Sequence, residues 1–292
     1  MENPIVSFQG EYGAFSEMAA RVYFGEDVTV VPQRNFVALF ASVEHGDSTH
    51  GMVPIENSLM GSIHENYDHL LKHNLQIVGE LKLRIVHNLI VNPGVKREDI
   101  RHIYSQAPAL AQCTEVIESL SQAEAVMAPD TAGAVKGLRE SGARDAAAIA
   151  SAQAAIDYDL EILQAGIEDD HQNYTRFLVV APQAVVTQNY DFEDPAKTSI
   201  VFAMKNVPGA LFKSLSVFAL RDLNLLKIES RPLAGKPWEY AFSLDIEGHL
   251  GQEPCARAID HLREIATFVK ILGSYKQGEA VEGTVRAKRE EN

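Results

Sequence analysis

Cysteine is scarce in this 292-residue sequence: there are two, Cys113 and Cys255, far apart in the chain. That spacing excludes a disulfide framework and any Cys-x-x-Cys metal or redox motif. It points to a reduced, cytoplasmic compartment in which both thiols are small apolar fillers. The ten histidines show no His-Glu-x-x-His or other ligand spacing, so no metal is expected. No run of about 20 apolar residues occurs, so no membrane-spanning helix is expected. Met1 to Pro4 has no basic region and no apolar core follows, so no secretory leader is expected either. Positive charge is in deficit, with 26 Lys+Arg against 40 Asp+Glu and a formal charge of −14. Such a chain is ill suited to non-specific nucleic-acid or anionic-membrane binding. An anionic substrate must then be captured by local cations against the global field. A dinucleotide fingerprint is missing too, because Gly10 and Gly13 supply only Gly-x-x-Gly. No cofactor is expected.

What is present suits about two domains of ordinary globular composition. Ile5 to Phe8 reads as a strand running into a glycine turn and a helix that stops at Gly25. That turn is either an anion-binding helix start or a plain tight turn. Val28 to Val31 is the next strand, and Asn35 caps a helix through Val43. Gly51 to Ile55 is a strand with Glu56, Asn57 and Ser58 at its C-terminal end, where open α/β sheets bind ligands. Turn chemistry is the other reading of those three residues. Leu75 to Val78 and Leu81 to Val91 read as two strand segments. Ser105 reads as a helix cap, seven residues before Gln112 and so on the same face, with Leu110, Cys113, Ile117 and Leu120 as the core stripe. Ala125 to Met127 and Ala147 to Ile149 are strands, each followed by a helix. The alternation predicts α/β domains with mostly parallel sheets.

Phe177 to Ala181 is an apolar strand entered through Asn173, Tyr174, Thr175 and Arg176. In an extended chain Tyr174 and Arg176 face one way, and Asn173 and Thr175 the other. An anion could be held on one side and a hydroxyl presented on the other; a solvated strand entrance is the plainer reading. Gln183 to Lys197 is a polar, acidic linker. Beyond it the order is strand, helix, two strands, helix, strand, a βαββαβ plan of ferredoxin type. The charged tail after Gly278 is expected to be disordered.

Taken in order, these segments resemble one family: prephenate dehydratase with a C-terminal ACT regulatory domain. Asn173-Tyr174-Thr175-Arg176-Phe177 is similar to its Thr-Arg-Phe signature. Pro54-Ile55-Glu56-Asn57-Ser58 is similar to its Pro-Ile-Glu-Asn-Ser segment, and Ser105 with Gln112-Cys113 to its second-lobe helix start. The turn from Gly10 to Ser16 fits its N-terminal Gly-x-x-Gly-x-Phe-Ser. Gly209-Ala210-Leu211-Phe212 and Lys227-Ile228-Glu229-Ser230-Arg231-Pro232 resemble the two effector motifs of the ACT domain. Gln106-Ala107-Pro108 departs from the family's His-Pro-Gln, Ala14 from its threonine, and Leu226 from the Thr or Ser before Lys227.

The resemblance implies an α/β fold: a two-lobed, periplasmic-binding-protein-like catalytic domain plus a ferredoxin-like ACT domain. The catalytic domain would span 1–188, with lobe one at about 1–80 and 167–188 and lobe two at about 81–166. A linker at 189–197, an ACT domain at 198–276 and a tail at 277–292 would complete the chain. The implied reaction converts prephenate to phenylpyruvate, water and carbon dioxide; aromatisation drives it, and neither metal nor electron sink is needed. Thr175, Glu56, Asn57, Ser105 and Gln112 are the implied catalytic set, with Thr175 at the departing hydroxyl and Glu56 as proton reservoir. Arg176, Asn173 and Ser58 are implied to bind substrate, Arg176 either gripping a carboxylate or forming a structural ion pair. Phenylalanine is the implied effector, bound by Asn206, Gly209, Ala210, Leu211, Phe212, Glu229, Ser230 and Arg231. ACT domains pair, so a homodimer or homotetramer is expected. Arogenate dehydratase and a non-catalytic amino-acid sensor are the alternatives.

Overall fold

The structure, a computed structural model, describes residues 3–183, 195–233 and 239–288. The chain opens with β1 (Ile5–Gln9), α1 (Phe15–Phe24), β2 (Thr29–Gln33), α2 (Phe36–His45) and β3 (His50–Asn57). A short strand β4 (Gly61–Ser62) folds back on β3, and α3 (His64–Lys72) and β5 (Leu75–Arg84) follow. The middle of the chain holds β6 (Asn88–Val91), β7 (His102–Ser105), α4 (Ala107–Ala111), α5 (Thr114–Ser119) and β8 (Glu124–Met127). It continues with α6 (Thr131–Ser141), β9 (Ala146–Ala150), α7 (Ala152–Asp157) and β10 (Glu161–Ala165). After β11 (Tyr174–Pro182) come β12 (Ala196–Ala203), α8 (Ala210–Ala219), β13 (Leu225–Pro232), β14 (Tyr240–Glu247), α9 (Glu253–Ile265), β15 (Phe268–Lys276) and β16 (Ala280–Val281). The expected linker falls mostly on residues 184–194, which lie outside the described residues.

Local chemistry explains many of these boundaries. Asn35 Oδ1 accepts from Ala38 N and starts α2; Asp130 Oδ1 accepts from Gly133 N and starts α6. Gly46 and Gly142 take the left-handed conformation that closes those helices. Three expectations differ from the structure. The break expected at Gly79–Glu80 is absent, and β5 runs unbroken to Arg84. Alternating burial along β5 is strong enough to carry a glycine through the strand. Strand β10 escaped the sequence reading because Glu161-Ile162-Leu163-Gln164-Ala165 is short and lacks a clean alternation. The tail, finally, is not loose along its described length.

Two compact units divide the chain. The first holds Met1–Ile63, Leu81–Phe177 and the segment from Glu279; the second holds His64–Glu80 and Leu178–Gly278. Residues 64–80, expected in lobe one, thus cluster with the βαββαβ segment. One sheet has the order β16-β5-β11-β3-β1-β2, with β4 on β3; β1 is parallel to both β2 and β3. A second sheet has the order β10-β6-β9-β7-β8 and belongs to the first unit. Here β7 is parallel to β8 and β9, but β6 is antiparallel to β9 and β10. The sheet is therefore mixed rather than mostly parallel. Strand β6 enters this sheet from β5 of the first sheet rather than through a helix packed on its own sheet, so no βαβ crossover sets it parallel to its neighbours. Leu89, Ile103, Cys113, Leu120 and Ile149 are fully or nearly fully buried in its core, and Leu110 and Ile117 pack on them, as the expected stripe requires.

Two extended segments join the sheets of the first unit: Ile85–His87 leaves the first sheet and Ile167–Asn173 returns to it. They hold each other through backbone bonds, Ile85 N to Asn173 O at 2.8 Å and Ile167 N to His87 O at 2.9 Å. The glycine turn before α1 reaches the second sheet's helices. Ser151 Oγ donates to Gly13 O at 2.5 Å, and a Cβ on Gly13 would meet Ala154 Cα at 2.6 Å. With φ at +85°, Gly13 is fixed as glycine both by its conformation and by that contact.

In the second unit the sheet order β13-β14-β12-β15 with α8 and α9 gives the expected βαββαβ arrangement around Phe202, Phe218, Leu244, Ile259 and Leu262. Lys270 Nζ donates to the carbonyls of Leu70, Leu71 and His73 at 2.7–2.9 Å, so a cation sits at the C-terminal end of α3. Lys197 and Glu80 form an ion pair at 2.7 Å with side chains 4% and 0% exposed.

The charged tail binds to the first unit instead of solvent. β16 pairs in parallel with β5, and Thr284 Oγ1 donates to Glu26 at 2.9 Å. Arg286 Nη2 lies 2.7 Å from Glu17 Oε1 on α1 and 3.2 Å from Asp157 Oδ2 on α7, two carboxylates that are almost fully buried. High charge suggested disorder, but Glu282, Arg286 and Lys288 each have a specific partner. Removing one member of a buried ion pair strands the other charge. Arg286→Met should therefore cost about 3 kcal/mol and lower the midpoint of thermal unfolding by several degrees. A calorimetric scan with an unchanged midpoint would show that the tail contributes nothing.

Candidate active site

The motif at the start of β11 meets the end of β3 inside the first unit. Asn57 is the centre. Its Oδ1 accepts from the backbone N–H groups of Leu59 and Met60, both at 3.0 Å, and from Gln112 Nε2 at 3.1 Å. Its Nδ2 donates to Asn173 Oδ1 at 2.7 Å, Thr175 Oγ1 at 3.1 Å and Tyr174 O at 3.2 Å. Asn173 Nδ2 in turn donates to Gln112 Oε1 at 3.0 Å. Three side-chain amides from distant parts of the chain thus close one ring of hydrogen bonds, and Thr175 hangs from it.

Strand alternation separates the remaining candidates. Asn173 and Thr175 share the face that meets Asn57, as expected from a period of two. Arg176 and Glu56 lie on the opposite face, with Arg176 Nη1 3.8 Å from Glu56 Oε1 and the arginine 6% exposed. Glu56 is therefore separated from the hydroxyl of Thr175, for which it was expected to act as proton reservoir. Asn173 is fully buried, and its side-chain oxygen and nitrogen are both spent inside the network. Ser58 clips the hairpin to β11: its Oγ donates to Gln172 O at 2.8 Å and accepts from Tyr174 N at 2.9 Å.

Ser105 does not cap a helix. It ends β7, fully buried, and its Oγ donates to Ile149 O at 2.7 Å. Gln106 holds the cap position of α4 with no side-chain bond, and α4 ends at Ala111. The expected two-turn helical face from Ser105 to Gln112 is consequently interrupted. Gln112 reaches the network from the short break between α4 and α5, where its carbonyl also accepts from Asp169 N at 2.7 Å. Pro108 in the first turn and the change of direction at Cys113 keep this helix short.

One participant carried no sequence signal. His87 is 2% exposed, and its Nε2 lies 3.0 Å from Gln112 Oε1. Its backbone N–H donates to Glu168 at 2.9 Å, and the ring packs edge-on to Phe15 at 5.5 Å. Burial pushes the imidazole below its ordinary pKa, against smaller upward pulls from the Gln112 bond and the Glu168 charge. It stands in an apolar stretch, with no spacing to mark it as more than a core residue.

The candidate effector residues fall into two groups in the second unit. Asn206, Gly209, Ala210, Leu211 and Phe212 line a cavity of about 200 Å³ with Met204, Tyr240 and Phe242. Glu229 and Arg231 project from β13 and bond α3: Glu229 lies 3.2 Å from His64, and Arg231 2.8 Å from Asp68. Ser230, between them on the strand, is exposed.

A family model described as prephenate dehydratase matches residues 6–185. The chain belongs to the prephenate dehydratase family. It is 45% identical over 280 residues to an Arabidopsis thaliana protein named arogenate dehydratase/prephenate dehydratase 2, chloroplastic, covering 92% of this chain and 72% of that one. A solved prephenate dehydratase from Arthrobacter aurescens, in complex with L-Phe, matches with TM-score 0.84 and 33% identity over 93% of this chain and 90% of its own. A solved chain called GqqA, described as a novel type of quorum quenching acylase, matches with TM-score 0.85 and 35% identity over 94% of this chain and 98% of its own. A prephenate dehydratase is a carbon–oxygen lyase. It releases water and carbon dioxide from prephenate and leaves phenylpyruvate.

In this dehydratase neither thiol is placed for chemistry. Cys113, beside Gln112, is fully buried, and burial together with the Asp169 and Glu168 charges pushes its thiol far up. Cys255 is fully buried and also pushed up by burial. A thiol reagent at mildly alkaline pH should label neither cysteine in the folded protein and both after unfolding; rapid labelling of the folded protein would contradict this placement.

Proposed function

We propose that Thr175 presents its hydroxyl to the departing ring hydroxyl of prephenate. The supporting observation is the Asn57 Nδ2 to Thr175 Oγ1 bond at 3.1 Å. An amide N–H donates there, so the threonine oxygen accepts and its own proton is left for the leaving group. A threonine hydroxyl is a poor free acid, so it works as donor or relay. Asn57, Gln112 and Asn173 hold it in place, because a fixed donor costs no reorganisation at the moment of reaction. Ser105 fastens β7 to β9 through Ile149, and Ser58 fastens the hairpin. Glu56 and Arg176 serve as an ion pair behind the strand, which removes both from the proton path.

The βαββαβ segment is read as an ACT regulatory domain that binds phenylalanine as feedback inhibitor. The cavity at Asn206 to Phe212 supports this, since it has the size for an amino acid and lies at the start of α8. Glu229 and Arg231 act through α3 rather than by lining that cavity. Pairing of two copies through this domain, as a dimer or tetramer, is supported by the exposed Leu226 and Ile228 on β13 at one edge of the sheet. A cytoplasmic setting is supported by the two unpaired, buried cysteines; the Arabidopsis relative is named chloroplastic. No helix among the described residues is long and apolar enough to cross a membrane.

Two further readings have support in the relatives. Arogenate differs from prephenate by an amino group, and the Arabidopsis relative is named for both activities. An acylase activity follows from GqqA. Amide hydrolysis asks for a nucleophile beside a base, whereas the hydroxyls of Ser58, Ser105 and Thr175 bond amides or backbone groups. Turnover of prephenate, arogenate and an acyl amide, each with and without phenylalanine, tests all of these. Prephenate turnover is expected. Binding without release of carbon dioxide would favour a sensor. Thr175→Val should lower kcat by about 10²–10⁴-fold, the usual range for lost general-acid help, while prephenate still binds. Wild-type turnover in that variant would remove Thr175 from the chemistry. Ala210→Trp, which fills the cavity, should raise the phenylalanine concentration for half-inhibition about tenfold or more at unchanged uninhibited turnover. Unaltered inhibition would place the effector elsewhere.

A further inference from the structure

We propose that His87 is a positioning residue of the active site, whose Nε2–H locks the hydrogen-bond order that Asn57 sets between Gln112 and Thr175. The inference rests on the dehydratase reading and adds a residue to it.

The direction of the network can be derived from groups whose polarity is not in question. The backbone N–H groups of Leu59 and Met60 can only donate, so the Asn57 atom facing both at 3.0 Å is its oxygen. The other Asn57 atom is therefore the nitrogen, which agrees with its 3.2 Å contact to the carbonyl of Tyr174. Asn57 oxygen then requires a donor from Gln112 at 3.1 Å, which makes that atom Nε2. Asn57 nitrogen requires an acceptor from Asn173 at 2.7 Å, which leaves the Asn173 nitrogen to donate to the remaining Gln112 atom, Oε1. His87 Nε2 faces that same oxygen at 3.0 Å, so it must carry a proton.

The opposite tautomer would break this order. With the proton on Nδ1, the Nε2 lone pair would face the Gln112 oxygen. Relieving that repulsion by turning the Gln112 amide over would set its NH₂ against the NH₂ of Asn173 and its oxygen against the oxygen of Asn57. Asn57 would keep its bonds to Leu59 and Met60 but be pushed away by the Gln112 oxygen, and Thr175 would be displaced with it. His87 thus acts as a latch at the far end of a chain that finishes on the reacting hydroxyl.

The cost of the latch is visible. His87 Nδ1 is buried and has no hydrogen-bond partner. Burial lowers the imidazole's pKa and so favours the neutral ring, in which Nδ1 is a bare acceptor, and a buried acceptor left without a donor destabilises the fold. An aliphatic side chain would remove that cost. A residue kept only for packing has no reason to carry it, whereas a residue kept for its Nε2–H does. The edge-on ring of Phe15 at 84° and the Glu168 bond to its backbone N–H fix the imidazole in its pose.

The test compares His87→Leu, His87→Gln and His87→Asn in the full chain, using whichever substrate the wild type turns over. Glutamine places an N–H near the position of Nε2; asparagine places one near Nδ1. His87→Leu should lower kcat about tenfold or more with little change in KM, as expected when a reacting group is misplaced but binding is kept. Its thermal midpoint should be unchanged or higher. His87→Gln should regain most of the lost kcat and His87→Asn should not. Equal activity in the glutamine and asparagine variants, or wild-type kcat in the leucine variant, would overturn the proposal. If the leucine variant does not fold, the glutamine and asparagine pair still decides. A ¹H–¹⁵N long-range spectrum of the wild type gives a second reading that needs no substrate: it should show His87 neutral with the proton on Nε2, and a proton on Nδ1 would overturn the proposal. Absence of prephenate turnover in the wild type would instead count against the dehydratase reading and leave the tautomer result standing.

Discussion

One side-chain amide carries the active half of this protein. Asn57 is tied to two backbone donors in its own hairpin, so it cannot turn over without breaking both bonds. Everything around it inherits that orientation. Gln112 comes from the break between α4 and α5, Asn173 from the segment returning between the sheets, and Thr175 from the second residue of β11. Each is a short polar group with few ways to satisfy its hydrogen bonds once buried, and a buried polar group left unpaired is expensive. The network is therefore close to all-or-none: its members are satisfied together or not at all. Such a network can hold a weak donor like the Thr175 hydroxyl in a fixed place.

How much of this could be read from the sequence depended on whether the signal was local. Alternation along Asn173 to Arg176 correctly divided that stretch into two faces, because side-chain direction in a strand follows from position alone. Asn35 announced its helix for the same reason: a cap bonds only a few residues away. Ser105 misled because its residue type also suits a cap, whereas its hydroxyl is bonded to Ile149 across the sheet. Glu56 misled because adjacency to Asn57 in the chain means opposite faces in a strand. His87 was invisible, since its importance lies in a tautomer imposed by an amide 25 positions away. Arg286 was misread because composition averages over charges and cannot tell solvated ones from paired ones.

The resemblance to effector motifs was also local, and it grouped residues that the fold keeps apart. Asn206 to Phe212 opens α8 and lines a cavity. Glu229 and Arg231, on β13 of the same unit, reach for α3. That helix follows the β3–β4 hairpin in the chain and is gripped at its other end by Lys270. A charged strand face and a lysine thus fix one short helix at both ends, and the hairpin preceding it is the one that bears Asn57.

The tail from Glu279 to Lys288 has a consequence for how the protein is made. It follows the whole βαββαβ segment in the chain, yet it pairs with β5 and its Arg286 neutralises Glu17 and Asp157 of the first unit. During synthesis the first unit emerges early but lacks its edge strand and its arginine until the later domain has already been translated. For that interval Glu17 has only Arg21 and the Gly13 N–H, and Asp157 only Gln153, as partners. The second unit, whose own segments are all present before residue 279, meets no such delay. The second unit is therefore complete before the first, although the first begins earlier.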